Sequence, residues 1–234
     1  RDVEIFPVLN AIFIKIYGAS PYASPTDMGV NMVGNCIIDD EACREASRQE
    51  IIRRYYQVLV GVAQGKRTEE ELNKIELLMQ KEDLSVTDRH AVPPARSRAA
   101  ATNAAAAAIE LHDGRIITGK AGALLGSSAA VLMNALKVLA GIPHEHLILS
   151  PESIAPIQAL KTQYLGSKNP RLHTDEVLIA LSATAANNEE AALALKQLPK
   201  LKNCQFHSTV MLSQVDLRTF KKLHCDVTCD AKTE

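Results

Sequence analysis

Tryptophan is absent from the sequence, and aromatic residues of all kinds make up only 4% of it. A core must therefore be built from Leu, Ile, Val and Ala, and aromatic stacking platforms for single-stranded nucleic acid are scarce. A basic surplus is also missing: 26 Lys and Arg stand against 27 Asp and Glu, for a net charge of −1. Nucleic-acid channels and anionic membrane surfaces usually call for an excess of positive charge, so neither partner is expected. No apolar run reaches the roughly 18 residues that span a bilayer, and no secretory leader is read. The cysteines, Cys36, Cys43, Cys204, Cys225 and Cys229, are odd in number and scattered. That is unlike the paired framework of a small secreted domain, so reduced thiols and a cytoplasmic location are expected.

What remains is an ordinary globular composition, 47% apolar and 23% charged over 234 residues. This length suits one large domain or two small ones. The chain begins directly with "DVEIFPVLNAIFIKIYG", in which Val8, Leu9, Ile12, Phe13 and Ile16 recur at helical spacing, Pro7 suits a first turn and Gly18 suits the end. An amphipathic helix so early suggests a chain cut from something larger, its apolar stripe packing on material outside it. "DDEACREASRQEIIRRYYQVLVGVAQG" reads as a second helix with Ile51, Ile52, Tyr55, Leu59 and Val62 inward. "RTEEELNKIELLMQKEDLS" reads as a third, opened by a Thr68/Glu71 capping box. Residues 1–90 are thus expected to be a helical region containing a helical hairpin.

The composition changes abruptly at "HAVPPARSRAAATNAAAAA", so residues 91–108 are expected to be an Ala/Pro-rich connection or a short low-complexity helix. After it, Asp113-Gly114 between alternating apolar segments signals a hairpin. Helices and short strands then alternate, including "HLILS", "CQFHSTVML" and "CDVTC". About five strands with helices between them predict an α/β sandwich with a mixed sheet over 109–234.

Three stretches hold candidate site residues. "SPTDMGVNMVGNC" sets Asp27 and Asn31 beside glycines, a composition that lines ligand sites but also builds self-satisfied turns. "GKAGALLGSS" brings Lys120 and Ser127, with Ser128, to a helix start where free N–H groups suit a phosphate; its order is not that of a phosphate loop. "NPRLHTDEVLIALS" places Arg171 and His173 on a loop before Thr174, read as an N-cap, with Asp175 and Glu176 in the first turn. Capping accounts for that stretch without a reaction. Cys204/His207, Cys225/Cys229 and His144/His146 have spacings that do not bring ligands to one metal ion, and no cofactor is indicated.

"SPTDMGVNM", "QEIIRRYYQ", "NPRLHTDEVLIALS", "DGRIITGK" and "LSQVD" together resemble the C-terminal half of a bacterial conserved-hypothetical family, a domain of unknown function. The likeness runs nearly end to end and departs at the alanine-rich stretch. It implies a partner: an absent N-terminal half with a Gly-rich, phosphate-loop-like segment. This chain would then complete an enzyme that binds a nucleotide or phosphate ligand; the alternative is a non-catalytic module forming a homo-oligomer. The layout after residue 108 also resembles cytidine-deaminase-like domains, but "LLGSSAAV" lacks the zinc ligand and Glu which that chemistry needs.

Overall fold

The structure is a computed structural model describing residues 2–25, 28 and 39–233. It divides into two compact units, Arg1–Arg89 and His90–Glu234.

The first unit is helical. Helix α1 (Asp2–Tyr17) ends at Gly18, whose φ of 80° lets its N–H return 2.9 Å to the carbonyl of Ile14. Helix α2 (Asp40–Ala63) starts where the Asp39 carboxylate accepts from the Ala42 N–H at 2.9 Å. Its inward residues include Ile51, Ile52 and Tyr56, so the tyrosine fully buried is Tyr56 and not Tyr55. Helix α3 (Glu69–Lys81) opens with the capping box read from the sequence: Glu71 accepts from the Thr68 N–H at 3.0 Å and Thr68 accepts from the Glu71 N–H at 3.3 Å. Leu72, Ile75, Leu78 and Met79 then face inward, and α3 packs on α2.

The second unit is α/β. Its elements are α4 (Val92–Thr102), β1 (Ala106–Glu110), β2 (Ile116–Lys120), α5 (Ser127–Ala140), α6 (Pro151–Ala159), α7 (Thr174–Thr184), α8 (Glu189–Leu195), β3 (Gln205–Ser208), α9 (Gln214–Lys222) and β4 (Asp226–Cys229). The sheet order is β2-β1-β3-β4; β1 runs antiparallel to β2 and β3, and β3 parallel to β4. The expected mixed sheet is present, with the hairpin-then-helix order β1, β2, α5. Gly114, at φ 80°, makes the turn that its Asp-Gly pair predicted.

One local expectation needs correction. "HLILS" forms no strand. Ile148 and Leu149 still enter the core, but the carbonyls of His144 and His146 are held by the buried ammonium of Lys137, at 2.6 and 2.5 Å, instead of by a neighbouring strand. Residues 91–108, read as a connection or a short helix, form α4 and the start of β1.

That alanine run sets the layers. Successive side chains on a strand point to opposite faces. Ala107 and Ile109 join the main core with Val131, Leu132 and Leu136 of α5, while Ala108 packs with Ala91 and Ala95 on the α4 side. Small residues let both helices approach closely. Gly119, paired with Ala107, lies against α5 so tightly that a Cβ there would overlap the backbone N and Cα of Val131. Farther along the same core, Phe206 of β3 and Phe220 of α9 place their ring centroids 4.2 Å apart. On the other face, Arg96 of α4 grips Asp230 through contacts of 2.6 and 3.3 Å, with the buried His207 imidazole 3.6 Å away. Burial pushes the Asp230 carboxyl up, but the His207 imidazole beside it and the hydrogen bonds from Arg96 outweigh it and hold the pKa at about 2. No helix among the described residues is long and apolar enough to cross a membrane.

Two outcomes are expected from this packing. Gly119→Ala should destabilise the chain by about 1–3 kcal/mol in chemical denaturation, because backbone cannot yield as a side-chain tip does; unchanged stability would contradict the packing. Asp230→Asn should cost about 1–2 kcal/mol near neutral pH, discounted because Arg96 is partly exposed. Since the folded pKa is depressed, that contribution is present above the ordinary carboxylate range and disappears as pH falls toward about 2. Denaturation midpoints of wild type and variant should therefore converge in acid.

Candidate functional site

Three helix N-termini meet at one cleft of about 280 Å³, lined by Gly126, Ser127, Ser128 and Ala129 where α5 begins, by Asn169, Arg171, Leu172 and His173 before α7, and by Val210 to Ser213 with Asp216 where α9 begins. A helix start carries unsatisfied N–H groups and partial positive charge. Two of these starts are already served. The amide of Thr174 donates to Asp216 at 2.9 Å, and the amide of Asp216 donates to Ser213 at 3.1 Å. The start of α5 is different: its N-cap is Gly126, with no side-chain cap. Ser127 and Ser128 are 6% and 5% exposed, and no described residue hydrogen-bonds their hydroxyls.

Asp216 organises the opposite wall. It is 7% exposed and accepts from the Thr174 hydroxyl at 2.9 Å, the Ser213 hydroxyl at 2.8 Å and the His173 Nδ1 at 3.1 Å, in addition to the Thr174 amide. Burial by itself would raise its pKa, but the hydrogen bonds from His173, Thr174 and Ser213 outweigh this and keep the carboxyl below its ordinary value. The same hydrogen bond raises the pKa of His173, against a smaller opposing effect of burial.

The entry loop is fixed from several sides. Its backbone joins the approach to α5, with Leu172 N–H donating to Leu124 at 2.9 Å and Gly126 N–H to Leu172 at 3.1 Å. After α6 the chain passes through a π turn, Leu160–Tyr164, which aims the buried Lys161 at the carbonyl of Arg171 (2.6 Å) and the carboxylate of Glu176 (2.7 Å). Glu176 also accepts from the His173 N–H at 2.7 Å. His173, not Thr174, is therefore the N-cap position of α7. The local spacing had assigned the cap to Thr174, but its hydroxyl is taken by Asp216, distant in sequence.

Of the six residues singled out in the sequence, Ser127, Arg171 and His173 line the cleft. Lys120 lies exposed at the end of β2 and is not part of the lining. Asp27 and Asn31, like Cys36, fall outside the described residues. Sequence reasoning missed Asp216 and Asn169. The available signal for Asp216 was its capping spacing from Ser213, which gave no hint of contact with Thr174. His146 pairs with Glu190 at 2.7 Å. The thiol of Cys225 is pushed up to about 12 by burial, so it is a poor nucleophile or metal ligand. A larger groove of about 770 Å³ in the helical unit is lined by Arg53, Arg54 and Arg67. Its guanidiniums are already paired with Glu50 and Glu71, leaving less unmet demand than the start of α5.

Asp216→Asn should destabilise the chain by about 1–3 kcal/mol. Because the folded pKa of His173 is raised, the ion-pair contribution is complete below the ordinary imidazole range and is lost as pH rises through the folded value. The variant's deficit in a denaturation series should therefore be larger near pH 6 than near pH 9; an equal deficit at both would contradict the pairing.

Comparison with known sequences places this geometry in a family. Residues 87–234 match the model described as domain of unknown function DUF1846, C-terminal, and residues 1–83 match its N-terminal counterpart. The UPF0371 protein of Corynebacterium aurimucosum is 55% identical over 230 residues, covering 98% of this chain and 46% of the relative. UPF0371 protein cu0538 of Corynebacterium urealyticum is 53% identical over 232 residues, covering 99% and 47%. UPF0371 protein str1377 of Streptococcus thermophilus is 51% identical over 230 residues, covering 98% and 47%. The chain spans about half the length of these curated relatives. The reading of it as the family's C-terminal half is corrected, because residues 1–83 match the N-terminal domain. The expected partner, an absent N-terminal half, and the function of completing that half's enzyme fall with it. The chain, from its helical first unit through its α/β second unit, belongs to the bacterial DUF1846 (UPF0371) family.

Proposed function

We propose that the cleft where α5, α7 and α9 begin binds a small anionic metabolite, its negative group held by the N–H groups and hydroxyls at the start of α5. One observation carries this reading: the uncapped helix start beside Ser127 and Ser128, whose hydroxyls no described residue hydrogen-bonds, in a cleft also lined by Arg171 and His173. The N–H groups of an uncapped helix start and two hydroxyls beside it are all donors, and an anion supplies acceptors for them together. The volume, about 280 Å³, is at the lower end for ligand sites, so it suits a small molecule or the charged end of a longer one. The reading needs only this chain's own residues and assigns no reaction. Asp27, Asn31 and Lys120 are left without a role in it. A cytoplasmic location suits such a protein, in keeping with the free thiols of Cys204, Cys225 and Cys229.

Titration with inorganic phosphate, followed by amide NMR, tests the proposal. The signals of Ser127, Ser128 and Ala129 should shift and saturate, and Arg171→Gln should weaken binding about tenfold or more. Binding that leaves those amides unmoved would overturn the assignment.

A further inference from the structure

Resting on that anion reading, the ring of His173 narrows what the cleft can do. Each element packed against the imidazole brings a charged group: Asp216 from α9, Glu176 from the first turn of α7 and Lys161 from the π turn, with Arg171 on the same entry loop. Of these, Asp216 meets the ring itself, accepting from Nδ1 at 3.1 Å. A Ser–His–Asp nucleophile is not built here. The Ser213 hydroxyl lies 3.4 Å from Nδ1, on the carboxylate's side of the ring, and donates to Asp216 at 2.8 Å. No described residue pairs with Nε2. The side chain, 28% exposed, lines the cleft together with Ser127 and Ser128 at the uncapped start of α5. With Nδ1 held by a carboxylate the imidazolium is the favoured form, and its other proton sits on Nε2. An acid therefore shares the cleft with donors for an anion.

We propose that the cleft hydrolyses a small phosphate monoester, with Nε2 of His173 protonating the leaving oxygen and Asp216 acting as the positioning residue of the ring. The N–H groups at the start of α5 and the hydroxyls of Ser127 and Ser128 offer more donors than the two oxygens of a carboxylate use, and the three outer oxygens of a phosphoryl group match them better. In the loose transition state of such an ester, negative charge builds on the leaving oxygen, where a positioned acid meets it. The oxygen of a water molecule bonds to phosphorus as the bond from phosphorus to the ester oxygen breaks. The electron pair of that bond goes to the leaving oxygen, which takes the Nε2 proton. The phosphate that forms carries both protons of the water and returns one to Nε2, restoring the imidazolium. Ester and water thus become alcohol and hydrogen phosphate.

Phenyl phosphate and p-nitrophenyl phosphate are the probes, because nitrophenolate leaves readily without a proton and phenolate does not. His173→Asn, whose amide still donates to Asp216 but supplies no acid, should lower kcat of the full chain on the phenyl ester about 100- to 10,000-fold. The loss on the nitrophenyl ester should be far smaller, and equal losses on both overturn the acid. Asp216→Asn should move the alkaline fall of kcat on the phenyl ester to lower pH, a shift that a merely structural carboxylate would not give. An unmoved profile overturns the positioning role. Amide shifts of Ser127 and Ser128 with inorganic phosphate, without hydrolysis of either ester by the wild-type chain, overturn the reaction and leave the anion site standing. Failure of phosphate to bind overturns both. If His173→Asn does not fold, the wild-type profiles decide: kcat on the phenyl ester should fall between about pH 6 and about pH 9 while that on the nitrophenyl ester holds, and parallel profiles overturn the acid.

Discussion

A carboxylate removed from water must be met by enough donors to replace its hydration. Asp216 receives a backbone N–H, two hydroxyls and an imidazole N–H. Those donors come from the loop and first turn of α7 and from the cap of α9, so this one buried charge ties two helix starts together. Lys161 has the same role on the far side of the loop, where a buried ammonium is met by a carbonyl and a carboxylate. Between them the backbone carrying Arg171 and His173 has little freedom. The cleft's geometry is therefore fixed by its supporting charges, which is the general condition for tight recognition of a small molecule.

The other wall depends on size rather than charge. α5 reaches the cleft at the right depth because Gly119 and the alanines of β1 bring it close to the sheet, with α4 on the opposite face. Larger residues would lift the helix and carry its free N–H groups away from Arg171 and His173. The near absence of aromatic side chains is thus a feature of the architecture. The layers are thin, and the Phe206–Phe220 contact brings two large rings together in the α/β core.

Much of this was legible in the sequence because it depends on neighbours in the chain. The Thr68/Glu71 box, the turn at Gly114, the helix end at Gly18 and the change from helical to α/β character each follow from spacing over a few residues. Where sequence reading failed, distant residues decided. Thr174 has the local signature of an N-cap, yet Asp216 takes its hydroxyl from another helix. "HLILS" has strand propensity, but Lys137 satisfies the nearby carbonyls and the segment stays irregular. For the same reason Arg171, His173 and Ser127 were each noticed separately but not as one site: their convergence needs the Leu124–Leu172 and Gly126–Leu172 hydrogen bonds, which leave no pattern in the sequence. The C-terminal-half assignment failed differently, since strings matching one family did not reveal that residues 1–83 correspond to its N-terminal domain.

The tie between Asp216 and His173 is the point on which the arrangement turns, and ring-nitrogen NMR of His173 observes it directly. Nδ1 should carry the proton in the neutral imidazole, and the ring should titrate above the ordinary histidine range. A ring protonated at Nε2 and titrating at or below the ordinary value would mean that Asp216 does not hold it, and the cleft as described would not exist.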